Sequence, residues 1–247
     1  MSMRCLTEQE IITIWERGLR QHPIERALTL LTVALPGMAR ADLLKLSVGQ
    51  RDAYLILLRE QTFGSQFVGF AECQSCREQL EFSFDIANVW MGTAPVEDVG
   101  QMYQYHIEGY ELEVRLPNSA DLLAVVAKQD LEAARTHLLQ HCISHVAFAN
   151  KEVQAQTLPA NVVETLGEQL LVRDPQIEVL INLSCPKCEQ HWSAVFDIVA
   201  FLWSEIQTHA KRILREIHTL ALAYGWSESE ILALSSIRRQ LYLEMVS

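Results

Sequence analysis

The sequence predicts an α+β fold: a helical N-terminal unit, two cysteine-bearing β-hairpins separated by a large α/β insertion, and a helical C-terminal region. Three observations predict it: helix caps ahead of apolar runs near the N-terminus, two Cys-x-x-Cys pairs between β-prone runs, and one long amphipathic stripe near the C-terminus. With 247 residues, of which 49% are hydrophobic and 21% charged, the chain can bury one sizeable core or two small ones. A disordered or low-complexity protein is therefore excluded.

The charge balance is acidic, because 31 aspartates and glutamates outnumber 20 lysines and arginines and give a formal net charge of -11. Such a field does not attract phosphate backbones, so a dedicated nucleic-acid binder is disfavoured. Carboxylates at Glu8 and Glu10 interrupt the apolar core that a secretory signal needs, and we expect a cytoplasmic protein. The most apolar stretch, residues 27–39, contains Pro36 and is too short to cross a bilayer, so we expect a buried helix there.

The helical N-terminal unit is predicted over residues 1–65 from three local start signals. Thr7 can cap a first helix while Glu10 closes a capping box. Pro23 suits the first turn of a second helix. Ser47 can cap a third helix that ends near residue 64, where glycine is the expected terminator.

The first cysteine half is predicted over residues 66–90, with β-prone runs at 67–70 and 80–84 on either side of the cysteine pair. The second half is predicted over residues 177–197, with a strand over 177–183 and a partner strand over 192–196. Each half is therefore expected to form a β-hairpin.

The insertion is predicted over residues 91–176 as an α/β region. Runs at 102–107 and 110–116, joined by Glu108-Gly109, are typical of a β-hairpin. Three helices are expected after it: one over 120–127 capped by Ser119, one from Asp130 to about Cys142, and one from about Pro159 to Val172.

The helical C-terminal region is predicted over residues 198–247. Asp197 can cap the longest helix, which is expected to end at Tyr224-Gly225, and Ser227 can cap a final helical pair. The long helix carries a continuous apolar stripe, which we expect to pack in the protein's own core; seating a partner helix is the alternative. The stripe comprises Ile198, Phe201, Leu202, Ile206, His209, Ile213, Ile217, Leu220 and Tyr224.

The two cysteine pairs belong to one repeated unit. Cys73-Gln74-Ser75-Cys76 precedes Phe84-Asp85-Ile86 at the same interval at which Cys185-Pro186-Lys187-Cys188 precedes Phe196-Asp197-Ile198. Each copy thus reads as strand, cysteine turn, strand and aspartate-capped helix start. Two thiolates supply only half of the tetrahedral coordination that zinc prefers, so both copies are needed to complete a site.

The spacing predicts that Cys73, Cys76, Cys185 and Cys188 bind one structural Zn²⁺ as a split zinc ribbon. Four sulfurs leave no coordination position for water, so such an ion would not be catalytic. Reduced, unligated thiols and a redox dithiol are the alternatives. His191 could replace one sulfur, but we expect it only beside the site, because Gln79 stands at its place in the first copy. Arg77 and Glu189 follow the second cysteines, where knuckles usually have glycine, so each turn must accommodate a side chain.

Other candidate chemistry is weaker. His137, His141 and His145 would share one helix face if the helix continued past Cys142, which makes a second metal site conceivable, although ordinary hydrogen bonding is the simpler interpretation. Cys5 and Cys142 are expected to be ordinary thiols. The sequence has no zinc-protease helix, phosphate-binding loop, dinucleotide fingerprint or nucleophile elbow, so we expect no enzyme and no catalytic residues.

Several segments in a fixed order carry a resemblance to a known family. They are Leu46-Ser47-Val48-Gly49-Gln50-Arg51-Asp52, Leu58-Arg59-Glu60, Phe63-Gly64, the two cysteine units, Arg115-Leu116-Pro117-Asn118-Ser119-Ala120-Asp121-Leu122, Tyr224-Gly225-Trp226, Ile231-Leu232-Ala233-Leu234 and Arg238-Arg239. In these the chain resembles the T-even phage baseplate proteins, described as baseplate hub assembly chaperones of contractile-tail phages and contractile injection systems. The family pattern more often has proline and glycine around both cysteine turns, and here only Pro186 is kept.

The resemblance implies a non-enzymatic assembly factor or built-in component of a baseplate, with hub, spike or baseplate subunits as protein partners and no nucleic-acid or membrane partner. Two other hypotheses stay open. The four-cysteine pattern alone suits a zinc-ribbon regulatory protein contacting nucleic acid, and the histidine face would suit a metal-dependent hydrolase.

Overall fold

The structure, a computed structural model, describes residues 3–92, 99–126, 128 and 130–246. It is a mixed helix and sheet fold, which confirms the predicted class at that level. The helices are α1 (Glu8–Gly18), α2 (Pro23–Ala34), α3 (Arg40–Leu43), α4 (Val48–Phe63), α5 (Ser119–Val126), α6 (Leu131–Cys142), α7 (Ala160–Arg173), α8 (Ile198–Tyr224), α9 (Glu228–Leu232) and α10 (Ser236–Val246). The strands are β1 (Gln66–Glu72), β2 (Gln79–Asp85), β3 (Met102–Ile107), β4 (Tyr110–Arg115), β5 (Ile143–Phe148), β6 (Lys151–Glu152), β7 (Leu180–Ser184) and β8 (His191–Val195).

The N-terminal helices begin where their caps predict. Thr7 and Glu10 form the capping box of α1, Ser47 and Gln50 form that of α4, and α2 starts at Pro23. The buried helix expected over residues 27–39 ends at Ala34 because the residue before a proline is disfavoured in helical conformation. The short helix α3 follows, and no local start signal in the sequence indicates it.

Helix α8 is the centre of the larger hydrophobic core and packs against α1, α2, α4, α9 and α10. Its buried residues are Ile198, Val199, Leu202, Trp203, Ile206, Ala210, Ile213, Ile217 and Leu220. Most of the predicted stripe is therefore buried in the protein's own core, while Tyr224 at its end is 36% exposed. An ion pair ties α8 to α4, because Arg59 Nε and Nη2 donate to the Glu205 carboxylate at 2.9 and 2.7 Å.

Three antiparallel sheets account for the strands. β1 pairs with β2 and β7 with β8, and these hairpins carry the two cysteine pairs. The four-stranded sheet, in the order β3-β4-β5-β6, lies in the insertion. Its predicted hairpin β3–β4 turns at Glu108 and Gly109, both with positive φ, as a two-residue hairpin turn requires.

The insertion has a hydrophobic cluster of its own. One face of its sheet packs with α6 and α7 around Ile107, Leu112, Val146, Val162 and Leu166. The predicted boundaries of the five chain regions stay a prediction.

The two ends of the insertion are joined by one buried side chain. Gln176 Nε2 donates to the Val89 carbonyl at 2.9 Å, and its Oε1 accepts from the Met91 N–H at 3.0 Å. The chain therefore enters and leaves the insertion at the same place.

The insertion meets the helical body at the N-terminus of α4. Ser47 and Asn118 form an isolated antiparallel bridge, and the Val48 N–H donates to the Pro117 carbonyl at 3.0 Å. Two of the segments that carry the family resemblance, 46–52 and 115–122, thus lie against each other.

Two local predictions are wrong. Ser119 does not cap α5, because Asn118 Oδ1 accepts from the N–H groups of Ala120 and Asp121 at 2.9 and 3.1 Å, and Ser119 becomes the first helical residue. Residue 127, the expected last residue of that helix, lies outside the described residues. The strand expected from Ile177 begins at Leu180, because Pro175–Ile177 forms a 3-10 turn.

In the part of the chain that the structure describes, no helix is both long and apolar enough to cross a membrane.

Candidate metal centre

The four predicted cysteines come together although residues 77–184 separate the pairs. The Sγ atoms of Cys73, Cys76, Cys185 and Cys188 all lie within 4.8 Å of one another. Cys73 Sγ is 3.6 Å from Cys188 Sγ, and Cys76 Sγ is 3.5 Å from Cys185 Sγ. The expected clustering of both pairs is therefore confirmed.

The two cysteine turns have the same backbone geometry. The Cys73 N–H donates to the Glu78 carbonyl and the Arg77 N–H donates to the Cys73 carbonyl, at 2.9 and 2.8 Å. In the second turn the Cys185 N–H donates to the Gln190 carbonyl and the Glu189 N–H to the Cys185 carbonyl, both at 2.9 Å.

Both turns place a residue with a side chain in the left-handed region. Arg77 has φ 58° and Glu189 has φ 57°, the conformation that glycine adopts at least cost. The expectation that each turn accommodates a side chain after its second cysteine is met.

The hairpins reach the cluster from a shared aromatic base. Phe84 and Phe196, which hold equivalent positions in the repeat, meet edge to face with ring centroids 5.4 Å apart. Phe67 on β1 and Phe201 on α8 complete the group, with their centroids 5.3 Å apart. This apolar packing fixes both hairpins against α8 and so aims the two turns at each other.

The sulfur positions fit a tetrahedral thiolate site. A zinc ion with bonds of about 2.3 Å separates its sulfurs by about 3.8 Å, close to the two shortest sulfur contacts here. Cys73 and Cys185 are buried, Cys76 is half-buried and Cys188 is exposed, so the site lies at the surface end of the hairpins. The identity of the ion stays a prediction.

The surroundings favour thiolate at one sulfur in particular. The N–H groups of Cys76 and Ser75 lower the pKa of Cys73 to about 7 against the opposing effect of burial. At Cys76 the Glu78 N–H favours the thiolate, but burial and the neighbouring thiols raise the pKa to about 12. Four sulfurs this close therefore share protons until a cation replaces them.

A charged pair joins the two turns across the site. Lys187 Nζ lies 2.7 Å from Glu78 Oε2, so a residue inside the second Cys-x-x-Cys pairs with one just beyond the first. His191 begins β8 and is not part of the sulfur cluster. Sequence reasoning did not find the Lys187–Glu78 pair, because it depends on the juxtaposition of two distant turns.

The three predicted histidines do not come together. Helix α6 ends at Cys142, so His145 lies on β5, where its Nδ1 is 4.0 Å from Glu152 Oε1. His137 and His141 do stack, with ring centroids 3.9 Å apart. Across residues 3–92, 99–126, 128 and 130–246, only the cysteine cluster brings three or more possible metal ligands within reach of one another.

Comparisons with known proteins point in one main direction. A family model described as T4 bacteriophage base plate protein matches residues 29–203, which is more than half of the chain. The large component of nuclease SbcCD that bears the letter C, from Treponema pallidum (strain Nichols), is 25% identical over 245 residues, an alignment that covers 92% of this chain and 22% of that protein. The chain thus spans about a fifth of the length of that relative. No solved structure matches the chain.

Proposed function

Because the chain belongs to the T4 bacteriophage base plate protein family, we propose that it is a non-enzymatic assembly factor or component of the baseplate of a contractile tail or contractile injection system. The family match over residues 29–203 carries this proposal, since it includes the helical body, the insertion and both hairpins. The partners we propose are hub, spike or baseplate subunits, and the place of action is the cytoplasm or the assembled particle.

The metal in this proposal is a structural Zn²⁺ that closes a split zinc ribbon. Cys73, Cys76, Cys185 and Cys188 would hold it, and their mutual distances support that assignment. The ion would supply the positive charge that four adjacent thiolates require, and it would link two hairpins that follow different parts of the chain.

A structural role follows from the donor set. Four sulfurs fill the coordination shell of zinc, so the ion has no open position for water or substrate. The site is then a staple that holds the surface presented to other proteins.

The metal assignment is tested by replacing one ligand, Cys185→Ser. Zinc measured by elemental analysis should fall from one ion per chain to well below it, and the melting temperature should drop, because structural zinc contributes on the order of 10–16 kcal/mol. Cys5→Ser is the matched control, since Cys5 is an exposed thiol outside the cluster. A parent protein free of zinc, or a Cys185→Ser variant that melts like its parent, would contradict the assignment.

The baseplate role is tested by co-purification. The tagged chain, expressed with the tail genes of its own host, should retain hub, spike or baseplate subunits identified by mass spectrometry. Their recovery with intermediates alone would indicate a transient assembly factor, and their recovery with finished particles a built-in component. Recovery of none of them would overturn the proposal.

Nucleic-acid contact is the competing function. The four-thiol pattern and the similarity to part of a nuclease favour it, whereas a net charge of -11 opposes it. It requires salt-sensitive DNA or RNA affinity, which a gel-shift titration at low ionic strength measures directly.

A further inference from the structure

Strand β1 has a free edge. It pairs with β2 and, within the described residues, with no other strand. The Cys73 N–H donates to the Glu78 carbonyl, so this pair is hydrogen-bonded, and hydrogen-bonded pairs alternate along an antiparallel ladder. Counting back from it, the peptide groups of Val68 and Phe70 point away from β2. These groups are available to another extended chain.

The edge lacks the features that usually protect one. The strand Gln66–Glu72 contains no lysine and no proline, two residues that commonly block edge pairing. Instead, Val68 is 47% exposed and Phe70 is 74% exposed. An apolar edge of this length is the type that pairs with a further strand.

An aromatic groove runs between this edge and α8. Its volume is about 440 Å³, and Phe82, Phe84, Phe196 and Phe201 provide most of its apolar wall. The Phe82 ring covers Gly69, where a Cβ atom would come within 2.6 Å of it. A chain paired with β1 would therefore bury every second side chain in the groove.

The charges around the edge are negative. Glu72 ends β1, Glu81 lies opposite Phe70, and Asp85 lies opposite Gln66. The groove lining includes Glu205 and neither lysine nor arginine. The side chains of an added strand that face out of the groove would thus meet carboxylates, which favours lysine and arginine there.

We propose that the β1 edge and its groove bind an extended segment of a partner protein in which apolar and basic residues alternate, added as a third strand to the β1–β2 hairpin. This deepens the baseplate proposal and rests on it, because it names the chemistry of the partner. The apolar side chains enter the groove and the basic ones face Glu72 and Glu81. A second copy of this chain is disfavoured, because pairing β1 with itself would bring acidic edges together.

A designed peptide tests the surface directly. The probe is a fluorescein-labelled peptide, Lys-Val-Lys-Val-Lys-Val-Lys, titrated with the full-length protein and followed by fluorescence anisotropy. Saturable binding is expected, and the same peptide with glutamate in place of lysine should not bind. Failure of the lysine peptide to bind, or equal binding of both peptides, would overturn the proposal.

Two variants of the edge sharpen the test. Val68→Pro removes an N–H that points away from β2, so the hairpin ladder stays complete while the added strand loses a donor. Phe70→Lys places a cation on the edge. Each should weaken probe binding at least five-fold, with zinc content and melting temperature unchanged for Phe70→Lys.

Val195→Lys is the matched control, because Val195 is 66% exposed on β8 of the second hairpin. It should bind the probe as the parent does. Binding unchanged by Phe70→Lys would overturn the proposal even if Val68→Pro did not fold.

A co-purification arm separates this inference from the baseplate role. If the parent retains baseplate subunits and Phe70→Lys retains them equally, the docking inference fails and the role stands. If the parent retains none, the role fails, whatever the peptide does. Sedimentation of the parent as a dimer that Phe70→Lys dissociates would assign the edge to a second copy and overturn the inference.

Discussion

At the scale of single residues, the contact between Gly49 and Asp174 joins the helical body to the end of the insertion. Asp174 Oδ2 accepts from the Gly49 N–H at 3.0 Å, one of the first-turn donors of α4 that have no partner within the helix. Burial raises the pKa of Asp174 despite this bond. Glycine is required here because a Cβ atom on residue 49 would lie 2.0 Å from Asp174 Oδ1.

Gly49→Ala should therefore destabilise the protein. The added methyl group pushes the carboxylate off the helix end and leaves it buried without its donor, which should lower the free energy of unfolding by about 2–4 kcal/mol. Urea denaturation measures the change. Gly167→Ala is the matched control, because residue 167 lies in α7 with open space around its Cβ position and should be neutral or slightly stabilising. Equal stability of the two alanine variants would show that the Asp174 contact contributes nothing.

Residue patterns predicted the cysteine cluster but not this contact. Two Cys-x-x-Cys pairs with matching flanks identify four ligands without knowledge of the path between them. Gly49 and Asp174 are 125 positions apart and neither belongs to a motif with fixed spacing, so only the folded chain brings them together.

At the scale of elements, helix ends with local signals were predictable. The capping boxes at Thr7, Ser47 and Ser227 are written in adjacent residues, and the left-handed Gly225 ends α8. The end of α6 was not predictable in this way, because Cys142 passes directly into β5 with no glycine or proline. There, pairing of β5 with β4 overrides local preference.

Element α10 depends on one buried cation. Arg239, which is 1% exposed, pairs with Glu8 on α1 and Glu216 on α8, with its Nε 2.8 Å from Glu216 Oε2. Arg239→Met should lower the free energy of unfolding by about 2–4 kcal/mol, less than for a fully enclosed pair because Glu8 is partly exposed. Urea denaturation and amide exchange of α10 measure the loss.

Arg238→Met is its control, since Arg238 is exposed and makes no ion pair with a described residue. If both variants unfolded alike, the buried arginine would not be what holds α10.

At the scale of the whole molecule, the fold is a helical body into which a region with its own hydrophobic cluster is inserted. The Gln176 side chain joins the points where the chain leaves and returns. The sequence predicted an insertion, because its composition changes between the two cysteine halves. It could not predict the clamp, which is formed by one glutamine and two backbone groups.

Replacing residues 99–173 by a short glycine-serine linker should therefore leave a folded body that binds one zinc ion per chain. The melting temperature should fall, because the bonds from Val48 to Pro117 and from Ser47 to Asn118 are lost. Circular dichroism and elemental analysis measure both outcomes. A shortened chain without zinc or helical signal would mean that the body needs the insertion in order to fold.

The distance along the chain between the two cysteine turns affects biosynthesis. Translation runs from the N-terminus, and Cys185 lies 109 residues beyond Cys76, the sulfur it approaches in the folded protein. During that interval the first pair is an open dithiol, and the phenylalanines at its base lack the cover of Phe201. The nascent chain must therefore be kept from oxidising and aggregating until the ribosome has nearly finished.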